Sequence, residues 1–397
     1  MRRLMGLSRG GWSIAVFAVA TVITASAVNA AEKLVVGHLG IVADGPYFIA
    51  QEKGFFKEEG VEVELKRFNS GTQALAPLAT NQLQVVGGGS STAIFNAFGR
   101  NWPVRIAISR TRDLPGFSSD TLIVRNGLKE QVKTVADLKG KKIAVNAPSA
   151  VLEYMVAAML GKHGMTLKDI SLVYMPWPNM GPALKTGAID AGAVVEPFVV
   201  LYKQKGIAFP LHRASELLVD PPLEVSFILF NSDWSKANPK AANGFTRAYL
   251  RGARVYFDAM KGGSSRAEVV SILTRNTRLK NPAMYDRIQW SYVDPNGIIA
   301  RKGLQAQLDW YRTQGTLKVK KSLDEMIDES FVKNAFILNQ YLSLKTIIFK
   351  KTHELQLVIS HIYELFTKNA FREGLFVSKK RKISPKAVVI RKINQHL

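Results

Sequence analysis

From Lys33 to about Val195 the chain alternates short apolar runs with segments whose apolar residues recur every three or four positions. That alternation predicts strands joined by helices. One set of strand-like runs covers Leu34–Leu39, Val61–Phe68, Leu83–Val86 and Val104–Ser109; a second covers Thr121–Val124, Ile143–Val145, Leu172–Tyr174 and Ala191–Val195. Between them Tyr47–Lys53, Thr72–Thr80, Thr92–Phe98, Val151–Lys162 and Met180–Lys185 read as helices. In the Val151 segment Val151, Met155 and Met159, then Leu152, Val156 and Leu160, repeat at i+4 and give one broad face to bury.

After Pro221-Pro222 the pattern changes. One more strand-like run, Val225–Phe230, precedes long helical stretches at Pro239–Met260 and Leu304–Tyr311. An α/β unit, a second α/β unit and a helical return is the layout of a chain crossing twice between two lobes. The expected crossings are Phe117–Asp120 and Pro221–Val225, so that 31–118 with 225–335 make lobe I and 119–224 make lobe II. Residues 336–397 differ in texture: 341–397 hold two alanines and one glycine, and end in a Lys379-Lys380-Arg381-Lys382 run. They read as an atypical basic C-terminal extension, either a partner- or membrane-binding tail or a non-functional, disordered end.

Composition sets the compartment. Arg2, Arg3 and Arg9 precede an apolar run, Trp12–Val28, that closes on small residues, the order of a secretory signal peptide over 1–30. Thr21, Thr24 and Ser26 interrupt the run, whereas a membrane span needs about twenty predominantly apolar residues. Cleavage is expected after Ala30, which puts the protein in a periplasm. With no cysteine there is no disulfide, thiolate metal site, cysteine nucleophile or lipid-modified cysteine. The net charge of +23 is concentrated at the ends: 341–397 carry twelve Lys/Arg against three Asp/Glu, and 31–340 carry 39 against 28. No basic-aromatic stripe accompanies them, so nucleic acid is not an expected partner. The mild positive field favours small anions.

Three stretches carry a resemblance. Phe48-Ile49-Ala50-Gln51-Glu52-Lys53-Gly54-Phe55-Phe56-Lys57-Glu58-Glu59-Gly60-Val61-Glu62-Val63 resembles the opening helix and second strand of the nitrate/sulfonate/taurine and thiamine-precursor (NMT1/THI5-like) binding proteins. Asp137-Leu138-Lys139-Gly140-Lys141-Lys142-Ile143-Ala144-Val145 resembles the strand opening their second lobe; Ala183-Leu184-Lys185-Thr186-Gly187-Ala188-Ile189-Asp190-Ala191 with Glu196-Pro197 resembles its end. The resemblance implies an α/β, two-lobed periplasmic binding protein fold of type II, each lobe a sheet flanked by helices. It further implies a monomer that hands a small solute to an ABC importer's permease, and through it to the ATPase. Gly54, Gly60, Gly140 and Gly187 need no ligand to explain them, since each falls where a helix or turn must end.

Ligands of open α/β sheets sit beyond the carboxyl ends of strands, near helix N-termini. Four loops meet that rule. In Asp44-Gly45-Pro46-Tyr47-Phe48, Tyr47 either contacts a solute or plugs the core. In Gly87-Gly88-Gly89-Ser90-Ser91-Thr92, backbone N–H groups with Ser90, Ser91 or Thr92 suit an oxyanion, or simply cap a helix. In Asn146-Ala147-Pro148-Ser149, Asn146 and Ser149 precede the Val151 helix, whose N-terminus is expected to face the Gly87–Thr92 loop and clasp an anion. Trp177 to Met180, including Asn179, supplies an aromatic wall; Glu196 supplies one carboxylate, as a solute contact or a cap. Arg110 and Arg112 are anion-pairing or surface cations. An enzyme on the same scaffold is the rival class, because fold does not fix function. Relatives that build the thiamine pyrimidine or cleave a carbon–sulfur bond rely on cysteines, and His38, His163 and His212 fall in no catalytic motif. No catalytic residue, cofactor or metal is expected.

Overall fold

The computed structural model describes residues 31–218 and 222–337, together with Ser360. The signal-peptide segment, Pro221 and nearly all of the basic extension lie outside the described residues.

The strands are β1 (Glu32–His38), β2 (Val61–Arg67), β3 (Val85–Gly89), β4 (Val104–Arg112), β5 (Thr121–Arg125), β6 (Lys142–Val145), β7 (Ser171–Tyr174), β8 (Ala191–Val194), β9 (Ala208–Arg213) and β10 (Glu224–Asn231). They form two five-stranded sheets, ordered β2-β1-β3-β10-β4 and β7-β6-β8-β5-β9. In the first, β1 runs parallel to β2 and β3 while β10 is antiparallel to β3 and β4. The second repeats the scheme, β6 parallel to β7 and β8, and β5 antiparallel to β8 and β9. The chain therefore leaves the first sheet after Arg112 and returns at Glu224. This is the type II periplasmic binding protein fold, α/β with helices flanking each sheet.

Sequence pattern follows strand position. Edge strand β2 alternates buried Val61 and Val63 with exposed Glu62 and Glu64, whereas β10, between two neighbours, is buried along its whole length. Strand β9 escaped the pattern because it contains Pro210. It is an edge strand paired only with β5, and Pro210 sits at a register shift, where a missing N–H is tolerated.

The helix expected at Pro197 runs Phe198–Gln204; the helix Arg266–Asn276 was not anticipated, and the Met180–Lys185 helix starts earlier, at Trp177, with Pro178 in its first turn. Helix Pro239–Met260 buries Phe245, Tyr249 and Tyr256 against helix Gly45–Glu52 and the first sheet. Gly54, Gly60, Gly140 and Gly187 take φ of 73°, 74°, 73° and 74°, the left-handed conformation their turns require.

The two lobes meet directly. Thr92 N–H donates to the Ser149 carbonyl at 3.0 Å and Val151 N–H to the Ser90 carbonyl at 2.9 Å, an antiparallel bridge between the sheets' loops. Beside it the Tyr154 ring packs edge-on against Trp310, centroids 5.4 Å apart.

Candidate functional site

Between the lobes lies a cavity of about 40 Å³, at the carboxyl ends of the parallel strands. Its polar lining comes from both lobes: Ser70, Thr72, Arg110, Thr111 and Ser226 from the first, Asn146 and Trp177 from the second, and Ser119 and Asp120 from the crossing. A single water needs roughly 10–15 Å³ of such space. The closed cavity therefore holds a few water-sized groups, and a ring-sized solute enters only if the lobes part.

Arg110 is 1% exposed, and its guanidinium is largely committed within the protein. Nη2 donates to Asp44 Oδ1 at 2.5 Å and Nη1 to Ser226 Oγ at 3.0 Å. Burial by itself pushes the Asp44 carboxyl up, but Arg110, His38 and the Ile41 N–H overcome it and hold Asp44 well below the usual carboxylate range. Among the described residues, three polar atoms of the lining have no hydrogen-bond partner: Arg110 Nε, Trp177 Nε1 and Asp120 Oδ2. Buried polar groups are nearly always paired, so these unmatched atoms on lining residues of both lobes make the cavity the candidate site. Asn146 adds a side-chain amide to the same wall.

The other residues singled out from sequence are distributed differently. Tyr47 is fully buried, its ring 5.1 Å from that of Tyr249, and its hydroxyl lies against Gly87 of β3, where a Cβ would come within 2.5 Å of it. Gly87, Gly88 and Gly89 belong to β3 rather than to a loop. A Cβ on Gly88 would stand 2.7 Å from the Gly71 Cα, so these glycines admit a helix against the strand instead of an oxyanion. Ser90 donates a short hydrogen bond to Gln307 Oε1. Ser91 caps the Thr92 helix, accepting from Ile94 N–H at 3.4 Å, and Thr72 Oγ1 donates to it at 3.3 Å.

The expected clasp of two helix N-termini on an anion is not what closure produces. The N–H groups of Thr92 and Val151 are taken up by each other's lobe, and the residue before the Val151 helix is Ala150, with no side-chain cap. Ser149 instead adopts φ 47°, turning its carbonyl to Thr92. Asn179 is exposed in the first turn of the Trp177 helix.

Glu196 is 1% exposed and outside the cavity. Oε2 accepts from Val200 N–H at 3.1 Å and Oε1 from Gln289 N–H at 3.4 Å, with Arg213 at 3.9 Å. Burial pushes its carboxyl up to about 7 against those contacts. Arg112 is paired with Asp294 at 3.2 Å and Glu224 at 3.7 Å. The lining residues not anticipated, Thr72, Asp120 and Ser226, left one signal in the sequence: Asp120 falls at the first crossing.

Among the described residues no cluster of three or more His, Cys, Asp or Glu is placed to hold a metal ion, and no helix is long and apolar enough to cross a membrane.

Comparison with known proteins agrees with this geometry. The alkanesulfonate-binding protein SsuA of Xanthomonas axonopodis pv. citri, bound to MOPS, superposes with a TM-score of 0.62 at 20% identity, covering 75% of this chain and 98% of that one. The periplasmic nitrate-binding protein NrtA of Synechocystis gives 0.61 at 19%, covering 77% and 88%. At these identities the likeness establishes the fold. In sequence, the 4-amino-5-hydroxymethyl-2-methylpyrimidine phosphate synthase of Uromyces fabae is 26% identical over 254 residues, 61% of this chain and 71% of that protein. A Brucella abortus protein named for binding is 27% identical over 258 residues, 57% and 75% of the two chains. Residues 44–259, more than half of the chain, match the family described as NMT1/THI5 like, and the protein belongs to that family.

Proposed function

We propose that this protein is the extracytoplasmic solute-binding component of an ABC importer, a monomer exported by a cleaved signal peptide that traps one small solute between its lobes. In this reading 31–118 with 225–335 act as one lobe, 119–224 as the other, and the crossings as the hinge. Closure hides the solute and creates the surface that the permease distinguishes from the open form. The observation that carries the reading is the interlobe cavity with three unpartnered buried polar atoms, on Arg110, Asp120 and Trp177.

The lining also bears on the solute. Sequence reasoning favoured an anionic, sulfonate-like or aromatic molecule. Asp44 already neutralises Arg110, and the cavity adds the carboxyl of Asp120 and the indole of Trp177. Those groups favour the flat, aromatic side of that expectation, an aminopyrimidine being one such molecule, over a sulfonate held by charge. The test is a thermal-shift series on the full chain with 4-amino-5-hydroxymethyl-2-methylpyrimidine, taurine, ethanesulfonate and nitrate. A ligand at a hundred times its Kd adds about 2.7 kcal/mol of stability. Stabilisation by the pyrimidine, without turnover by mass spectrometry, supports the proposal; stabilisation by sulfonates alone restores the anionic solute. The pyrimidine synthase relative keeps an enzyme as the second reading, and consumption of any compound would move it first.

A further inference from the structure

A second cavity lies between the lobes, a recess of about 440 Å³ that shares no lining residue with the first. Its cations come from both sides. Arg287 follows the short helix Pro282–Asp286, whose Met284 and Tyr285 belong to the core under the first sheet; Lys203 lies on the helix Phe198–Gln204, and Arg213 ends β9 of the second sheet.

Little in the recess neutralises them. Among the described residues the side chains of Lys203 and Arg287 make no ion pair or hydrogen bond, and the acids beside Arg287 and Arg213 in sequence are engaged elsewhere, Asp286 by Arg266 at 2.8 Å and Glu216 by His212 at 3.1 Å. Arg213 spends Nη1 on the Ser118 carbonyl and Thr121 Oγ1, both at 3.3 Å, and its Nε and Nη2 have no partner among the described residues. The one carboxyl in the lining is Glu196, 3.9 Å from Arg213. Both its oxygens already accept backbone N–H groups, Oε2 from Val200 at 3.1 Å and Oε1 from Gln289 at 3.4 Å, and burial holds it up at about 7, so near neutral pH it brings less than a full charge.

An excess of Lys and Arg attracts anions, and guanidinium forks match the oxygens of phosphate-type groups. The rest of the lining, including Val199, Pro210 and Met284, holds no aromatic ring, so a nucleobase or aromatic acid finds nothing to stack on. We propose that this recess is a second ligand site, separate from the solute cleft, in which Lys203, Arg213 and Arg287 hold a compact, multivalent oxyanion of the phosphate type across the two lobes. The site goes beyond the importer reading and does not depend on which solute the cleft takes.

Titration calorimetry of the full chain with inorganic pyrophosphate at pH 7 tests it. Binding should be saturable and one-to-one, and should weaken by about tenfold in Lys203→Ala and in Arg287→Ala, each of which removes one charge-assisted contact. Both side chains are exposed, so neither change touches the core. Lys318→Ala, at an exposed lysine whose N–H meets Asn96 elsewhere on the first lobe, should leave the affinity unchanged. Absence of saturable binding overturns the site. So does an equal loss in Lys318→Ala, which would assign the affinity to the general positive field, and so does binding that neither Lys203→Ala nor Arg287→Ala weakens, which would put the anion elsewhere on the chain. A loss in only one of those two variants overturns the bridge, because the anion would then belong to a single lobe.

Discussion

Arg110→Met should be among the most damaging single substitutions in the first lobe, because it removes the cation from a carboxylate that no water reaches. Asp44 is fully buried, and among the described residues its ion-pair partners are Arg110 at 2.5 Å and His38 at 3.5 Å. Methionine fills much of the arginine volume, so the loss is chiefly electrostatic. Breaking a buried pair by deleting one partner costs about 3–5 kcal/mol. For a chain of this size, at about 2 °C per kcal/mol, that is a fall of about 6–10 °C in Tm.

The pH dependence fixes the sign. Asp44 is held well below its ordinary value, so the stability it contributes is fully present above the unfolded-chain value of about 4 and is lost as pH falls below that. Without Arg110, burial pushes Asp44 up instead, and it takes a proton on mild acidification. The gap between wild type and variant should therefore be widest at pH 7–8 and narrow towards pH 4. Differential scanning calorimetry from pH 4 to 8 measures it, and Asp44→Asn combined with Arg110→Met should recover more than half of the loss. A loss under about 1 kcal/mol at pH 7, or a double variant no more stable than Arg110→Met alone, refutes the reasoning.

Other consequences follow from the same geometry. Val151 occupies the first position of its helix, where proline is tolerated, so Val151→Pro removes the N–H donated to Ser90 O while leaving an apolar ring in place of the buried valine side chain; it should weaken closure by about 0.5–1.5 kcal/mol. A larger radius of gyration in small-angle scattering would show this, and an unchanged one would count against the interlobe bridge. Gly88→Ala drives a methyl to 2.7 Å from the Gly71 Cα and should cost about 1–3 kcal/mol in urea unfolding; an unmoved midpoint would mean the helix and strand are not so close. Glu196 and Glu224 are both raised to about 7 by burial, so the folded protein binds more protons than the unfolded chain, and each carboxyl lowers stability as pH rises from about 4 to 7, by about 3 kcal/mol at most. Glu196→Gln should gain on wild type as pH is raised from 5 to 8, and parallel Tm–pH curves would contradict the assigned shift.

The order of elements, the return strand and the helical character after Pro239 were legible in the sequence because a buried strand or an amphipathic helix writes its environment into the spacing of its apolar residues. Strand β9 was not, since an edge strand pairs on one side only and can carry Pro210. Among candidate site residues, Asn146 and Trp177 line the cavity, while Tyr47, Ser90 and Glu196 are held by contacts far away in sequence. The local grammar of a loop before a helix is the same whether its hydroxyl meets a ligand, caps the helix or bonds a glutamine 217 residues on.

By itself, then, the sequence determined the alternation, the two sheets and the chain's double crossing, all of which follow from local periodicity and from turns within a few residues. Only the tertiary structure decided which polar atoms remain unmatched. Whether Arg110 is a free cation depends on Asp44, 66 residues away, and whether Thr92 and Val151 have free N–H groups depends on how the lobes meet. Hydrogen bonds and charges are satisfied in space rather than along the chain, so the chemistry of the cleft could not be read until the lobes were closed.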